Sequence, residues 1–283
     1  MLTPSAFADS RVMTRRFLLA IVFAVATLPA AAFAATLEDA YVAYTRGDYS
    51  EALKIFVPLA EEGNRDAQYS VGVIYSNGRG LPQSYVEAAK WFRRAADKGQ
   101  PGAQYDLGVL YAKGQGVAQS WSEAAKWFRM AAEQGKASAQ YNMGFLYSQG
   151  QGVGQDYAQA AKWYRMAAEQ GDVDSQNRLA ALYLAGDGVQ QDYAEAARWY
   201  RKAADQGDND AQNELGSLYG NGHGVEKDYV EAYRWFELAA TRSPATDFET
   251  RENAARNRDM VAARMTPAEI AEAQKRAKAW KPQ

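Results

Sequence analysis

Tyr75, Tyr111, Tyr147, Tyr183 and Tyr219 stand 36 residues apart, and Trp91, Trp127, Trp163, Trp199 and Trp235 keep the same interval. So do Gly80, Gly116, Gly152, Gly188 and Gly224. A fixed period of this length constrains the fold more than any other feature of the chain, because it is the signature of a solenoid. Each unit is too small to bury its own apolar face, so neighbours stack into one continuous core.

Within a unit the apolar pattern predicts two helices. Ala67, Val71, Ile74 and Tyr75 fall at i, i+4, i+7 and i+8, which is one face of a 3.6-residue period. Gly78 follows, where a left-handed cap costs a glycine little. The second helix opens on a capping signal in every unit: Ser84 before Glu87, Ser120 before Glu123, Asp156 before Gln159, Asp192 before Glu195, Asp228 before Glu231. Ala88, Trp91, Phe92, Ala95 and Ala96 form its apolar face, and Gly99 closes it. Burying one large aromatic is worth roughly 1.5–3 kcal/mol, so the recurrent Tyr and Trp are expected in the core.

The run "LGVLYAKGQGVAQSWSEAAKWFRMAAEQG" resembles a Sel1-like repeat, the longer-looped relative of the tetratricopeptide repeat. The L-G-x-x-Y core, the G-x-G-V loop and the A-x-W-[FY]-x-x-A-A helix all recur. Ala180 replaces the glycine after Leu179, and Ser243 replaces the terminal glycine of the last unit. The resemblance implies an all-α fold, a right-handed α/α superhelix of helix-turn-helix repeats. Five full units are expected over residues 66–243. Residues 35–65 read as a shorter, tetratricopeptide-like capping repeat, and residues 244–283 as two charged capping helices, the second opened by Thr266-Pro267-Ala268-Glu269.

Chemistry is sparse. With no cysteine and one histidine, Cys–His nucleophiles and multi-histidine metal sites are excluded. His223 sits in a loop where other units carry Arg79, Gln115, Gln151 and Asp187, which predicts an exposed position without a catalytic role. The Gly-x-Gly steps separate two helices rather than following a strand, so they are not phosphate-binding loops. The pairs Glu87/Lys90, Glu195/Arg198, Arg93/Asp97 and Arg201/Asp205 are expected to make a solvated outer face. No enzyme activity, cofactor or metal is expected.

Positions that differ between units escape the packing constraint. On the first helix these include Tyr69, Tyr105 with Val109, Tyr141 with Phe145, then Asn177 and Asn213. By the resemblance they line a concave groove, aromatic in its first half and polar in its second. Aromatics grouped in a concavity suit recognition of a protein or peptide. On this reading Tyr105 lies at the accessible groove and Tyr111 in the core. The expected function is an interaction scaffold, with the chain a monomer. The alternative is a cell-wall binder or β-lactam hydrolase like the cysteine-rich Sel1-like proteins, whose cysteine pairs are missing here.

Arg11, Arg15 and Arg16 precede an apolar run from Phe17 to Leu28, and Ala32-Phe33-Ala34 fits a cleavage site. Residues 1–34 therefore read as a secretory signal peptide, the run being too short for a membrane span. The two arginines adjoin Phe17 directly, which favours the ordinary secretory route over the twin-arginine one. The protein is expected in the periplasm or outside the cell, with a net charge of −4 after cleavage. That balance disfavours nucleic acid and anionic lipid as partners. N-terminal sequencing of protein from a periplasmic fraction is expected to begin at Ala35; an intact Met1 or Met13 on cytosolic protein is the opposing outcome.

Overall fold

The computed structural model describes residues 35–244 and 246–282. The expected signal peptide lies outside the described residues. Among those described the protein is all-helical, an α-solenoid of consecutive helix pairs. The chain divides into two compact units, one ending at Ala131 and one beginning at Ala132, a boundary inside the last turn of a helix.

The N-terminal unit holds α1 (Leu37–Thr45), α2 (Tyr49–Glu61), α3 (Arg65–Asn77), α4 (Tyr85–Asp97), α5 (Pro101–Lys113) and most of α6 (Trp121–Glu133). The C-terminal unit holds α7 (Ala137–Gln149), α8 (Tyr157–Glu169), α9 (Val173–Ala185), α10 (Tyr193–Asp205), α11 (Asn209–Asn221), α12 (Tyr229–Arg242), α13 (Phe248–Ala262) and α14 (Pro267–Ala279). The last two pack on α12. Trp280 lies edge-on to Trp235 at 6.4 Å, and Arg258–Glu237 (2.9 Å) and Arg276–Glu231 (3.0 Å) tie the tail to α12.

Local chemistry sets each helix end. Gly78 caps α3 in the left-handed region at φ 65°, and Gly114, Gly150, Gly186 and Gly222 repeat it. The second loop glycine answers a different demand. A Cβ on Gly116 would sit 2.2 Å from the Tyr85 carbonyl oxygen, so the loop lies backbone-on-backbone against the start of α4. The Ser84 hydroxyl accepts from the Glu87 amide at 3.3 Å, and Asp156 does the same for Gln159 at 3.0 Å.

Two glutamine series escape the sequence reading. Gln68, Gln104, Gln140, Gln176 and Gln212 are buried, and each donates to a carbonyl near the end of the preceding helix, at 2.8–3.2 Å. Loop residues Gln83, Gln119, Gln155 and Gln191 donate back to the carbonyls of Ser76, Ala112, Ser148 and Leu184 at 2.7–2.9 Å. Each such bond satisfies one of the carbonyls a helix end leaves open.

Two expectations are corrected. Arg93 and Arg201 do not belong to a purely solvated face. Arg93 donates to the Tyr111 hydroxyl and lies over the Trp127 ring at 4.7 Å; Arg201 donates to the Tyr219 hydroxyl and lies over Trp235 at 5.0 Å. A guanidinium is planar and weakly hydrated, so it stacks where an ammonium would stay in water. Glu87–Lys90 and Glu195–Arg198 do form the expected pairs, each at 2.6 Å.

The second correction reverses two tyrosines. Tyr105 is only 4% exposed, whereas Tyr111 keeps partial exposure with its hydroxyl turned to Arg93. The cause is a close fit inside the unit. The Phe128 ring rests on Gly108, where a Cβ would meet it at 2.7 Å, and Tyr105 packs on the same ring at 5.7 Å. Tyr105→Ala is therefore expected to cost on the order of 3–5 kcal/mol in a denaturation experiment. Tyr111→Phe, which loses one hydrogen bond, is expected to cost about 1 kcal/mol. Equal midpoints for the two variants would contradict this ordering.

Candidate interaction site

The helix-one positions singled out by sequence fall into an aromatic set and a polar set. In the N-terminal unit Tyr69 lies 5.8 Å from Phe92 and faces Gly102, where a Cβ would come within 2.8 Å of its ring. Burial pushes its hydroxyl far above the usual tyrosine range. Tyr105 repeats the pairing with Phe128, and Val109, one turn on, is half-buried.

In the C-terminal unit Tyr141 pairs with Tyr164 at 5.8 Å, and Phe145 is half-buried. Burial first, then the Asp174 charge, raises the Tyr141 hydroxyl, with Arg178 opposing. Tyr164 is pushed up to about 12 by burial, moderated by its contact with Ser148. The polar set follows. Asn177 donates to the Asp208 carboxylate at 3.0 Å, and Asn213 accepts from Asn257 of α13 at 3.0 Å. Thr250, also on α13, donates to Asp210 at 2.8 Å.

Charge gathers around these asparagines. Burial raises Asp174 and Glu214 above the usual carboxylate range, with Asp172 and Asp210 respectively adding repulsion. Asp208 is raised to about 6, chiefly by burial; the Ala211 amide works against this, and Asp210 and Asp174 reinforce it. Asp208 also caps α11 through that amide, at 2.7 Å. None of these acidic residues was singled out by sequence, because carboxylates at a helix start read first as caps.

The N-terminal unit offers half-buried Tyr69 and Val109, and the C-terminal unit offers half-buried Tyr141 and Phe145 together with hydrogen-bonding groups and negative charge. Among the described residues no group of three or more His, Cys, Asp or Glu side chains is placed to hold a metal ion. Among the same residues no helix is long and apolar enough to cross a membrane. His223 is exposed and stacks on Tyr193 at 5.0 Å.

Comparison with known proteins bears on the same residues. The Sel1 repeat model matches residues 65–100, 101–136, 137–172, 173–208 and 209–243. The crystal structure of c5321, a protective antigen present in uropathogenic Escherichia coli strains and displaying an SLR fold, is 38% identical with a TM-score of 0.74. The match covers 86% of this chain and 52% of that one, so the chain spans about half the length of c5321. A Sel1 repeat protein from Oxalobacter formigenes is 30% identical with a TM-score of 0.71, covering 81% of this chain and 100% of that one. Comparison with curated proteins gives no match.

Burial of Asp208 makes stability depend on pH. Its folded pKa lies above the unfolded value, so the native state holds the proton more tightly and ionisation opposes folding. Stability on this account falls as pH rises from about 4 through about 6. Asn keeps the cap and the acceptor while removing the charge. Asp208→Asn is expected to stabilise the protein at pH 7.5 by on the order of 1–3 kcal/mol, with the gain vanishing near pH 4. Urea midpoints at the two pH values measure it, and an offset independent of pH would refute the buried-charge account.

Proposed function

The chain belongs to the Sel1 repeat family, whose members are generally protein-interaction scaffolds, and from that premise we propose that it is an exported scaffold holding a partner protein or peptide on the variable faces of its first helices. The observation that carries this reading is partial exposure where the repeat leaves sequence free. Tyr69 and Val109 in the N-terminal unit, and Tyr141, Phe145, Asn177 and Asn213 in the C-terminal unit, are neither fully packed nor fully solvated. Such half-buried aromatic and amide groups supply anchoring area and direction together. Tyr105 acts from beneath, holding Phe128 in place rather than touching the partner.

Export rests on the leader-like start of the sequence, and a protective antigen among the relatives fits a protein that leaves the cytoplasm. Periplasmic or extracellular placement puts the partner among envelope or secreted proteins. Photo-crosslinking of the full chain in cells tests the reading. A crosslinker at Tyr141 or Phe145 of the C-terminal unit is expected to capture the same partner, and one at Lys162 or Arg198 on the second helices of that unit to capture none. Equal capture from both faces, or capture from neither, would overturn it.

A further inference from the structure

The fifth repeat departs from the other four at one point, and a cavity opens there. In four units a loop glutamine closes back on a first-helix carbonyl, as Gln191 does on Leu184 at 2.8 Å. The fifth unit carries Lys227 in the glutamine's place and Gly220 in the carbonyl's. Lys227 instead sets its ammonium 4.9 Å from the centre of the Tyr229 ring, leaving the Gly220 carbonyl without the side-chain donor its counterparts have. Gly220 also removes the side chain that Ser76, Ala112, Ser148 and Leu184 place at this point.

The cavity that results has a volume of about 280 Å³ and lies between the end of α11, the start of α12 and α13. Lys227 and Arg264 bring positive charge to its wall, and among the described residues no carboxylate lines it. Phe236 and Val261 give it an apolar side, and Met260, 52% exposed, stands at its lining. Asn257 spends an amide N–H on Asn213 and keeps its oxygen as an acceptor. The site thus combines two cations, two acceptors (Gly220 O and Asn257 Oδ1) and an apolar wall. Its size is just below the roughly 300–1,000 Å³ usual for ligand pockets, enough for one residue and not for a segment.

We propose that this cavity binds an α-carboxylate with its adjoining N–H and an apolar side chain, carried either by the C-terminal residue of a peptide or by a free amino acid. The carboxylate meets Lys227 and Arg264, the N–H donates to the Gly220 or Asn257 oxygen, and the side chain lies against Phe236, Val261 and Met260. Phosphate fits less well, because it has no apolar part to lie against Phe236 and Val261. This cavity adjoins the first-helix face at Asn213 through Asn257, but its ligand chemistry does not depend on the scaffold reading.

Calorimetric titration of the purified full chain tests it, with N-acetyl-leucine, N-acetyl-leucinamide, free leucine, an acetylated tetra-alanyl-leucine acid and inorganic phosphate as probes. N-acetyl-leucine is expected to bind at least about tenfold more tightly than its amide, a difference of about 1.4 kcal/mol. Tighter binding of the pentapeptide acid assigns a chain terminus, and tighter binding of free leucine assigns an amino acid. Lys227→Gln, which restores the residue of the other four repeats, is expected to weaken binding at least about tenfold without lowering the denaturation midpoint. Gly220→Ser is the second variant: a Cβ there finds its nearest atoms at 3.6 and 3.7 Å, so the fold accepts it, and it too is expected to lose binding. Equal affinity for acid and amide, phosphate binding as tight as N-acetyl-leucine, unchanged affinity in Lys227→Gln, or no binding at millimolar concentration would each overturn the proposal.

Discussion

The contact on which four of the five repeats depend is a ring lying on a bare backbone. Phe92 rests on Gly72, Phe128 on Gly108, Tyr164 on Gly144 and Phe236 on Gly216, and in every case a Cβ would fall within 2.8 Å of the ring. This lets the two helices of a unit approach more closely than side chains on both sides would allow. Everything else in the unit follows from that separation. The aromatic at the preceding turn, Tyr69, Tyr105 or Tyr141, reaches the same ring at 5.7–5.8 Å. The fourth repeat carries Ala180 in the glycine's place and Asn177 in the tyrosine's, whereas the fifth keeps Gly216 beside Asn213.

Close packing of helices creates a polar problem that the glutamines answer. A helix end buried under its neighbour cannot show its last carbonyls to water, and an unpaired buried acceptor costs about 1–3 kcal/mol. The buried series from Gln68 to Gln212 meets that need from the next helix, and the loop series from Gln83 to Gln191 meets it from within the unit. The Arg–Tyr–Trp stacks, with Arg93 between Tyr111 and Trp127 and Arg201 between Tyr219 and Trp235, join successive units at their partly wet edge. A repeat of this kind is therefore held by an apolar centre and by polar closures on either side. Where a closure is absent, as at Gly220 and Lys227, space appears, and space at a repeat boundary is the raw material of a binding site.

Function in such a fold is carried by what the packing does not use. Within the C-terminal unit Asn177 bonds Asp208, and α13 reaches α11 through Asn257 on Asn213 and Thr250 on Asp210. The tail thus contacts α11 as well as covering α12.

The 36-residue period, the capping pairs and the loop glycines determined the helix pairs, their ends and the family, because those features obey short-range rules of backbone geometry that each unit repeats. The buried glutamines were legible in principle, since Gln68, Gln104, Gln140, Gln176 and Gln212 share the period, but a polar residue on a helix reads as surface until its partner is known. Only the tertiary structure decided which tyrosine is covered. Tyr105 and Tyr111 lie on one helix with equal apolar character, and the difference between them is a ring from the second helix over one and a guanidinium beside the other. The same holds for the cavity at Lys227, one wall of which is supplied by α13. Periodicity constrains neighbours along the chain, whereas burial and charge are set by elements brought together across the fold.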